Sequence, residues 1–201
     1  MIIDTVEQLR LLYAKPKSRS LDKEMASLEK HSRRFIELSP FAVVATFGND
    51  GSVDASPRGG EPGFVKILSD RRLILPDSKG NNRLDGLTNI IETGGIALIF
   101  LIPGIDETLR VNGDARVRSD PDLLALFADQ KNPPQTVIDI EPHQVFLHCA
   151  KALMRSGLWS EEAQIPRDTL PTMSKMINDQ SGLNHAEESH EEMVRRYQED
   201  L

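Results

Sequence analysis

Short apolar runs separated by tight turns fill residues 41–118, and this pattern restricts the fold more than any other feature of the sequence. The first run, Phe41–Phe47, is rich in strand-forming residues. It is followed by Gly-Asn-Asp-Gly at 48–51, which is typical of a hairpin turn because Asn, Asp and Gly tolerate positive φ. We therefore expect residues 52–56 to return antiparallel to the first run.

The same signals predict further strands and several helices. Strands are expected at 63–68, 72–75, 96–102, 107–117 and 136–149, with a bulge at Gly113. Helices are expected at 6–13, over 21–36 (where Leu21, Met25 and Leu28 have helical spacing), at 82–93, and from Pro121 to about Asp129. About seven short strands joined mostly by tight turns predict a mainly β protein, an antiparallel barrel with flanking helices. A parallel doubly wound sheet fits poorly, because helices do not alternate with strands in residues 41–76.

The net charge of −7 argues against a general nucleic-acid binder, and the location of this charge is informative. Residues 160–201 hold ten acids and four bases, so the rest of the chain is close to neutral. An anionic small ligand on the main body therefore remains compatible with the sequence. We expect three parts: helices in 1–40, the barrel in 41–160, and an acidic helical extension in 161–201 that packs on the same domain.

Cys149 is the only cysteine, so an intrachain disulfide is impossible and a reducing, cytoplasmic location is expected. We interpret Cys149 as an inert buried thiol. The longest apolar run, from Ile96 to Pro103, has 8 residues and is too short to span a bilayer. No basic stretch precedes an apolar one at the N-terminus, so no signal peptide is expected. His185 and His190 are five residues apart, which does not align them on one helix face, and no metal site is expected.

Two glycine-containing segments are candidates for binding an anionic ligand. In Ser-Pro-Arg-Gly-Gly-Glu-Pro-Gly at 56–63, the glycines allow close backbone approach, and Ser56 and Arg58 are donors for phosphate or carbonyl oxygens. The alternative is an ordinary surface loop. In Leu-Pro-Asp-Ser-Lys-Gly-Asn-Asn-Arg at 75–83, the amides of an expected helix start attract anions, and a capped helix start with solvated cations is the alternative. The donors of this second segment are Lys79, Asn81, Asn82 and Arg83.

A third and a fourth segment follow later in the chain. In Glu-Thr-Leu-Arg-Val-Asn-Gly at 107–113, Arg110 and Asn112 share one face of a strand, which faces solvent, the barrel lumen or a partner subunit. The segment at 148–159 ends in the only tryptophan of the chain. Its residues Lys151, Arg155 and Trp159 are spaced by four. Two cations near a Trp suit an aromatic or anionic ligand, and an edge strand with the Trp packed on the core is the alternative.

Taken together, the four segments and Phe-Leu-Ile-Pro-Gly at 100–104 resemble the pyridoxamine 5′-phosphate oxidase-like, FMN-binding split-barrel superfamily. More narrowly, the chain is similar to a bacterial branch of FMN-dependent enzymes within it. The resemblance covers about residues 20–165. It implies an antiparallel split β-barrel, over residues 41–160, that forms a homodimer with FMN bound in two clefts at the subunit interface. From the charge and the short apolar runs noted above, no nucleic-acid and no membrane partner is expected.

The resemblance also assigns residues by position. The strand pair that faces the flavin carries Ser56, Arg58 and Lys66. The positions that hold the ribityl phosphate match Leu75, Pro76, Asn81, Asn82 and Arg83, with Asn where relatives have a second basic residue. Thr108 and Leu109 match a position that contacts flavin across the interface. The late segment that closes the cleft matches Lys151, Arg155 and Trp159.

The function implied by the resemblance is that of an FMN-dependent oxidoreductase acting on a small molecule. No protein acid or base is expected to be indispensable, since the flavin performs the redox step. The residues that bind pyridoxal phosphate in vitamin B6 oxidases are not recognisable, so that substrate is not assigned. Two alternatives stay open: a flavin-binding or storage protein without turnover, and a split barrel that binds haem or deazaflavin.

Overall fold

The computed structural model describes residues 2–18 and 22–200, and its centre is one antiparallel sheet. The strands are β1 Phe41–Phe47, β2 Val53–Gly59, β3 Lys66–Ser69, β4 Arg72–Pro76, β5 Gly95–Ile102, β6 Ile105–Arg118 and β7 Val137–His148. Their order in this 7-stranded sheet is β2-β1-β5-β6-β7-β4-β3, and every neighbouring pair is antiparallel. The prediction of a mainly β protein built from short antiparallel strands is confirmed.

Helices flank the sheet before, between and after its strands. Those whose whole length is described include α1 Val6–Leu12, α2 Lys30–Leu38, α3 Asp85–Thr93, α4 Pro121–Leu124, α5 Lys151–Ser156, α6 Met173–Ser181 and α7 His190–Gln198. Short 3₁₀ turns lie at Ala125–Phe127, Glu161–Ala163 and Arg167–Thr169. Among the described residues, no helix combines the length and apolar character needed to cross a membrane.

Alternation along the strands directs one face of the sheet into a single apolar core. On β1, the side chains of Ala42, Val44 and Thr46 are buried, while their neighbours are more exposed. The core cluster combines buried residues of β1, β4, β5, β6 and β7 with residues of α2 and α3, so the sheet curls around it. Strand β4 is buried on both faces, because Ile74 packs on its other side against Phe127.

The predicted bulge at Gly113 is confirmed by a register shift between Asn112 and Gly113 in the β6–β7 pair. Gly113 lies opposite Pro142, which has no N–H for a ladder bond and is tolerated at a bulge. A Cβ on Gly113 would overlap the backbone carbonyl of Glu141. Only glycine therefore fits this close approach of two strands.

The prediction of one helix over 21–36 is wrong, although Leu21 itself lies outside the described residues. Helix α2 begins at Lys30. Met25 instead exchanges two backbone hydrogen bonds with Val145, of 2.9 and 2.8 Å. Strand β4 pairs with β7 only as far as Ile140, so the backbone groups of β7 beyond this residue have no partner strand on that edge. Met25 forms hydrogen bonds with two of these groups.

Three predicted boundaries also differ from the structure. Helix α3 begins at Asp85 and not at residue 82, because Leu84 has φ 61° and interrupts the helical conformation. Helix α4 ends at Leu124 and continues as a 3₁₀ turn only to Phe127. The strand expected from Gly63 begins at residue 66, because Gly63 has φ 80° and lies in a turn.

Candidate functional site

The inner face of β2 carries the first candidate segment. Ser56 lies opposite Val44 in the β1–β2 register, and Arg58 lies opposite Ala42. Val44 and Ala42 point into the core. Directly opposed residues of an antiparallel pair point to the same side of the sheet, so Ser56 and Arg58 face the barrel interior. The first four residues of the segment thus belong to an edge strand, and the surface-loop alternative fails for them.

Arg58 connects the edge of the sheet to the end of β4. Its Nη2 lies 3.8 Å from Oδ1 of Asp77, and both side chains are 23% exposed. Asp77 directly follows Pro76, the last residue of β4. Strands β1, β5, β6 and β7 lie between β2 and β4 in the sheet order, so this contact requires the sheet to curl until its ends approach. The curled, unclosed sheet is the predicted split barrel, and the first two candidate segments meet at its opening.

Asp77 is the site residue that the sequence assignments missed. Burial raises the pKa of its carboxyl, and the Arg58 guanidinium offsets this effect only in part. The separation of 3.8 Å exceeds hydrogen-bond range, which agrees with this incomplete compensation. The only sequence signal for Asp77 was its position directly after an expected strand, inside the second segment.

The second segment continues as a loop with two unusual backbone positions. Asn82 has φ 59° and Leu84 has φ 61°, a left-handed conformation that costs roughly 1 kcal/mol or more for a residue such as Leu. Arg83 lies between them with its side chain 75% exposed and 2.8 Å from the Asp85 carboxylate. The Asn81 side-chain oxygen accepts a 3.1 Å hydrogen bond from the Arg83 backbone. Three of the five predicted phosphate-binding residues, Asn81, Asn82 and Arg83, thus lie in the loop before α3.

Carboxylates lie close to the N-terminus of α3. Asp85 occupies its first turn. Asp54 lies close to Gly86, since a Cβ added at residue 86 would be 3.0 Å from Oδ2 of Asp54. The same carboxylate oxygen accepts a 2.6 Å hydrogen bond from the Ser56 hydroxyl. Acidic groups stabilise a helix N-terminus. Both acids therefore lie near the start of this helix, although no side chain makes a cap hydrogen bond to its first amides.

Leu75 and Pro76, which were assigned to the phosphate, and Lys66, which was assigned to the flavin-facing strands, lie apart from Ser56 and Arg58. The Leu75 side chain is fully buried in the core, and Pro76 is buried at the end of β4. Lys66 is paired with Ile74, and its Nζ lies 5.8 Å from the centre of the Phe127 ring. Ile74 and Phe127 form the second apolar cluster, on the outer side of β4. Lys66 thus faces this outer cluster, away from the inner face of β2.

The third segment lies in the middle of β6. Leu109 is fully buried in the core, whereas Thr108, Arg110 and Asn112 are half-buried on the opposite, outer face. This excludes the lumen alternative for Arg110 and Asn112. Arg110 lies over the Phe146 ring at 5.2 Å, and its Nε is buried without a hydrogen-bond partner. Oδ1 of Asn112 is likewise buried, without a hydrogen-bond partner among the described residues.

The fourth segment is a short helix followed by a tryptophan anchor. Lys151 and Arg155 are exposed on α5, which ends before Gly157. Trp159 is half-buried, and its Nε1 donates a 3.0 Å hydrogen bond to the carbonyl of Ile105, the first residue of β6. The edge-strand alternative is therefore wrong, and the third and fourth segments meet at this end of β6.

Cys149 is exposed, contrary to the buried thiol expected, because it follows the end of β7.

The candidate residues thus form two groups within one chain. Ser56 and Arg58 meet the loop after β4 on the inner side of the open barrel. Thr108 lies on the outer face of β6, and Trp159 is anchored at the start of that strand.

Among residues 2–18 and 22–200, no group of three or more His, Cys, Asp or Glu side chains is placed to hold a metal ion.

Residues 28–149, more than half of the chain, match the sequence profile of the pyridoxamine 5′-phosphate oxidase family. Together with the curled antiparallel sheet, this match defines the class of protein. The chain belongs to the pyridoxamine 5′-phosphate oxidase family, with its split-barrel fold. The recognised resemblance to that superfamily is confirmed.

Solved structures resemble the chain at low sequence identity. A HupZ variant from Group A Streptococcus matches with a TM-score of 0.51 and 17% identity, over 62% of this chain and 100% of that chain. General stress protein 26 from Bacillus anthracis matches with a TM-score of 0.43 and 16% identity, over 57% and 88%. HutZ, the heme storage protein from Vibrio cholerae, matches with a TM-score of 0.43 and 10% identity, over 60% and 94%. At these identities the likeness is one of fold alone. No curated protein matches the sequence.

Proposed function

We propose that this protein binds FMN between two copies of the chain and uses it as an oxidoreductase on a small molecule. The observation that carries the proposal is the contact of Arg58 with Asp77, which joins the two segments assigned to the flavin and its phosphate. Family membership over residues 28–149 supports a cofactor of this kind.

The donors of the two segments joined by this contact fit a dianionic phosphate. Arg58, Lys79 and Arg83 supply cationic N–H groups, which make the strongest hydrogen bonds to phosphate oxygens. The amides of Asn81 and Asn82 add neutral donors. A Cβ at residue 80 would meet only one backbone oxygen, at 3.9 Å, so the loop backbone is open to close approach.

Two of these cations already lie next to carboxylates, with which a bound phosphate has to compete. Arg83 is paired with Asp85 at 2.8 Å, and Arg58 lies 3.8 Å from Asp77. A phosphate that binds here has to displace carboxylates from the cations. The raised pKa of Asp77 eases this displacement, because a carboxyl that is protonated more readily holds Arg58 less strongly.

The residues proposed to contact one flavin lie on opposite faces of the sheet, which supports a homodimer. Arg58 faces the barrel interior, whereas Thr108 lies on the outer face of β6. One flavin that contacts both sets therefore takes them from two chains.

In this proposal the flavin supplies the redox chemistry, and the protein binds and orients it. Arg58 and the loop at 79–83 hold the phosphate end. Thr108 of the opposing copy contacts the ring end. Trp159, fixed by its bond to the Ile105 carbonyl, bounds the cleft near the start of β6.

The decisive experiment is an absorption spectrum of the freshly purified protein, with the released cofactor identified by mass and the assembly sized by sedimentation. We expect the bands of oxidised FMN, about one per chain, on a dimer. A Soret band, or a protein that takes up no FMN, would overturn the flavin assignment. Reduction by NADH or NADPH and reoxidation by an acceptor distinguish an oxidoreductase from a storage protein.

A matched pair of variants tests the position of the phosphate. Arg58→Met removes the cation at the barrel opening, and we expect weaker FMN binding. Arg34→Met removes an exposed cation of α2, whose neighbour at 3.3 Å is Glu37, and we expect no change. Equal FMN affinities of the two variants would place the phosphate elsewhere.

A further inference from the structure

The last turn of α7 lies against the barrel, next to the loop of the second candidate segment. Nζ of Lys131 donates a 2.8 Å hydrogen bond to the carbonyl of Gln198, and the Asn132 amide donates a 3.3 Å bond to the carbonyl of Glu199. The last carbonyls of a helix lack intrahelical partners, so these donors cap the helix from outside. The C-terminal turn of the acidic extension is thereby held on the body of the protein.

Asp200 extends from this turn to the candidate phosphate-binding loop. Its Oδ1 lies 2.6 Å from Nζ of Lys79, the cation at the start of that loop. A carboxylate oxygen at this distance makes the same charge-assisted bond to an ammonium group that a phosphate oxygen makes. The ten acids and four bases of residues 160–201 give the whole extension a strong negative charge.

We propose that the acidic C-terminal end, Glu199 and Asp200, competes with the phosphate of the cofactor for Lys79 and so lowers the affinity of the barrel for FMN. This inference rests on the proposed FMN function. Lys79 has further N–H groups, but a phosphate dianion and the Asp200 carboxylate around one ammonium group repel each other. Release of the C-terminal end therefore accompanies tight binding of the phosphate.

Asp200→Asn tests the competition, with Glu191→Gln as the matched control. Both variants remove one negative charge from α7 or the residues after it, but Glu191 lies in the first turn of the helix, at the other end from Lys79. We expect Asp200→Asn to bind FMN about two- to fivefold more tightly, the range set by an exposed ion pair. Glu191→Gln is expected to match the wild type. The measurement is a fluorescence titration at low ionic strength, where exposed charges are least screened.

Riboflavin, which lacks the phosphate, is the control ligand. We expect its affinity to be the same for wild type and Asp200→Asn. Equal FMN affinities, or weaker FMN binding by Asp200→Asn, would overturn the competition, the second result because the tail then supports the site. An equal gain for FMN and riboflavin would also overturn it, since the effect would not depend on phosphate. If neither protein binds FMN, the inference falls together with the proposed function, whereas the other outcomes leave that function intact.

Amide hydrogen exchange gives a second readout. Saturation with FMN is expected to speed exchange in residues 196–200, because the cap made by Lys131 and Asn132 and the ion pair of Lys79 act together. Saturation with riboflavin is expected to leave this exchange unchanged. Slower exchange with FMN would show that the ligand fastens the C-terminal end, which contradicts competition.

Discussion

Replacing Arg58 by methionine is expected to destabilise the protein at neutral pH, because the half-buried Asp77 carboxylate then loses its cation. The charge separation of 3.8 Å corresponds to an attraction of about 1 kcal/mol at the dielectric constant of water and about 4 kcal/mol at an effective value of 20. Both side chains are 23% exposed, and the separation is beyond hydrogen-bond range. We therefore expect a coupling near the lower limit, about 1 kcal/mol.

Urea unfolding of a double-mutant cycle measures this coupling. The cycle compares wild type, Arg58→Met, Asp77→Asn and the double variant. Asp77→Asn is expected to destabilise less than Arg58→Met, since burial raises the pKa of Asp77 and a neutral amide suits that position better. The double variant is expected to be more stable than Arg58→Met alone.

The pH dependence gives an independent test of the same reasoning. The pKa of Asp77 is raised above the unfolded value of 3.8, so the folded state binds this proton more tightly. Its contribution to stability is complete below that value and is lost as the pH rises through the folded pKa. Removing Arg58 takes away the influence that lowers this pKa, so the destabilisation should shrink between pH 7 and about pH 4. The same destabilisation at both pH values, or no coupling in the cycle, would refute the reasoning.

Three further substitutions probe other parts of the fold and site. Arg83→Ala is expected to weaken FMN binding about tenfold in a fluorescence titration, through loss of a charge-assisted bond; unchanged affinity would move the phosphate away from this loop. Gly113→Ala should lower the free energy of unfolding by about 3 kcal/mol in urea, because its Cβ would overlap the Glu141 carbonyl; a loss under 1 kcal/mol would argue against the bulge. Trp159→Phe should cost about 1 kcal/mol of unfolding free energy through its lost bond to Ile105, and an unchanged urea midpoint would show that the indole is not anchored.

Local patterns predicted most of the sheet. The Gly-Asn-Asp-Gly turn between β1 and β2 was readable because positive φ at Gly51, observed at 83°, depends on only a few neighbouring residues. The β6 bulge was likewise signalled by one glycine in an otherwise alternating strand. Alternation correctly placed Leu109 and Arg110 on opposite faces of β6, and the structure shows that the Leu109 face is the inner one.

Features that depend on contacts with distant parts of the chain could not be predicted from the sequence. Met25 has helical spacing to its neighbours, but its backbone pairs with Val145, which is far away in sequence. The start of α3 was misplaced because Leu84 adopts a left-handed conformation that nothing in its residue type favours. In both cases tertiary contacts or local strain outweighed the propensity of a short window.

At the candidate site too, the types of the binding residues could be predicted from the sequence, but their contact partners could not. The sequence predicted which side chains are donors, but Asp77 and Asp200, the acids that face Arg58 and Lys79, are set by the curl of the sheet and by the return of α7. Displacing an exposed acid costs at most about 1 kcal/mol, whereas a charge-assisted phosphate bond contributes about 1.5–3 kcal/mol. Under the proposed function, phosphate binding is therefore favoured by a reduced margin. Of these acids, Asp200 alone lies on the extension outside the barrel, so its release relieves the competition without disturbing the sheet.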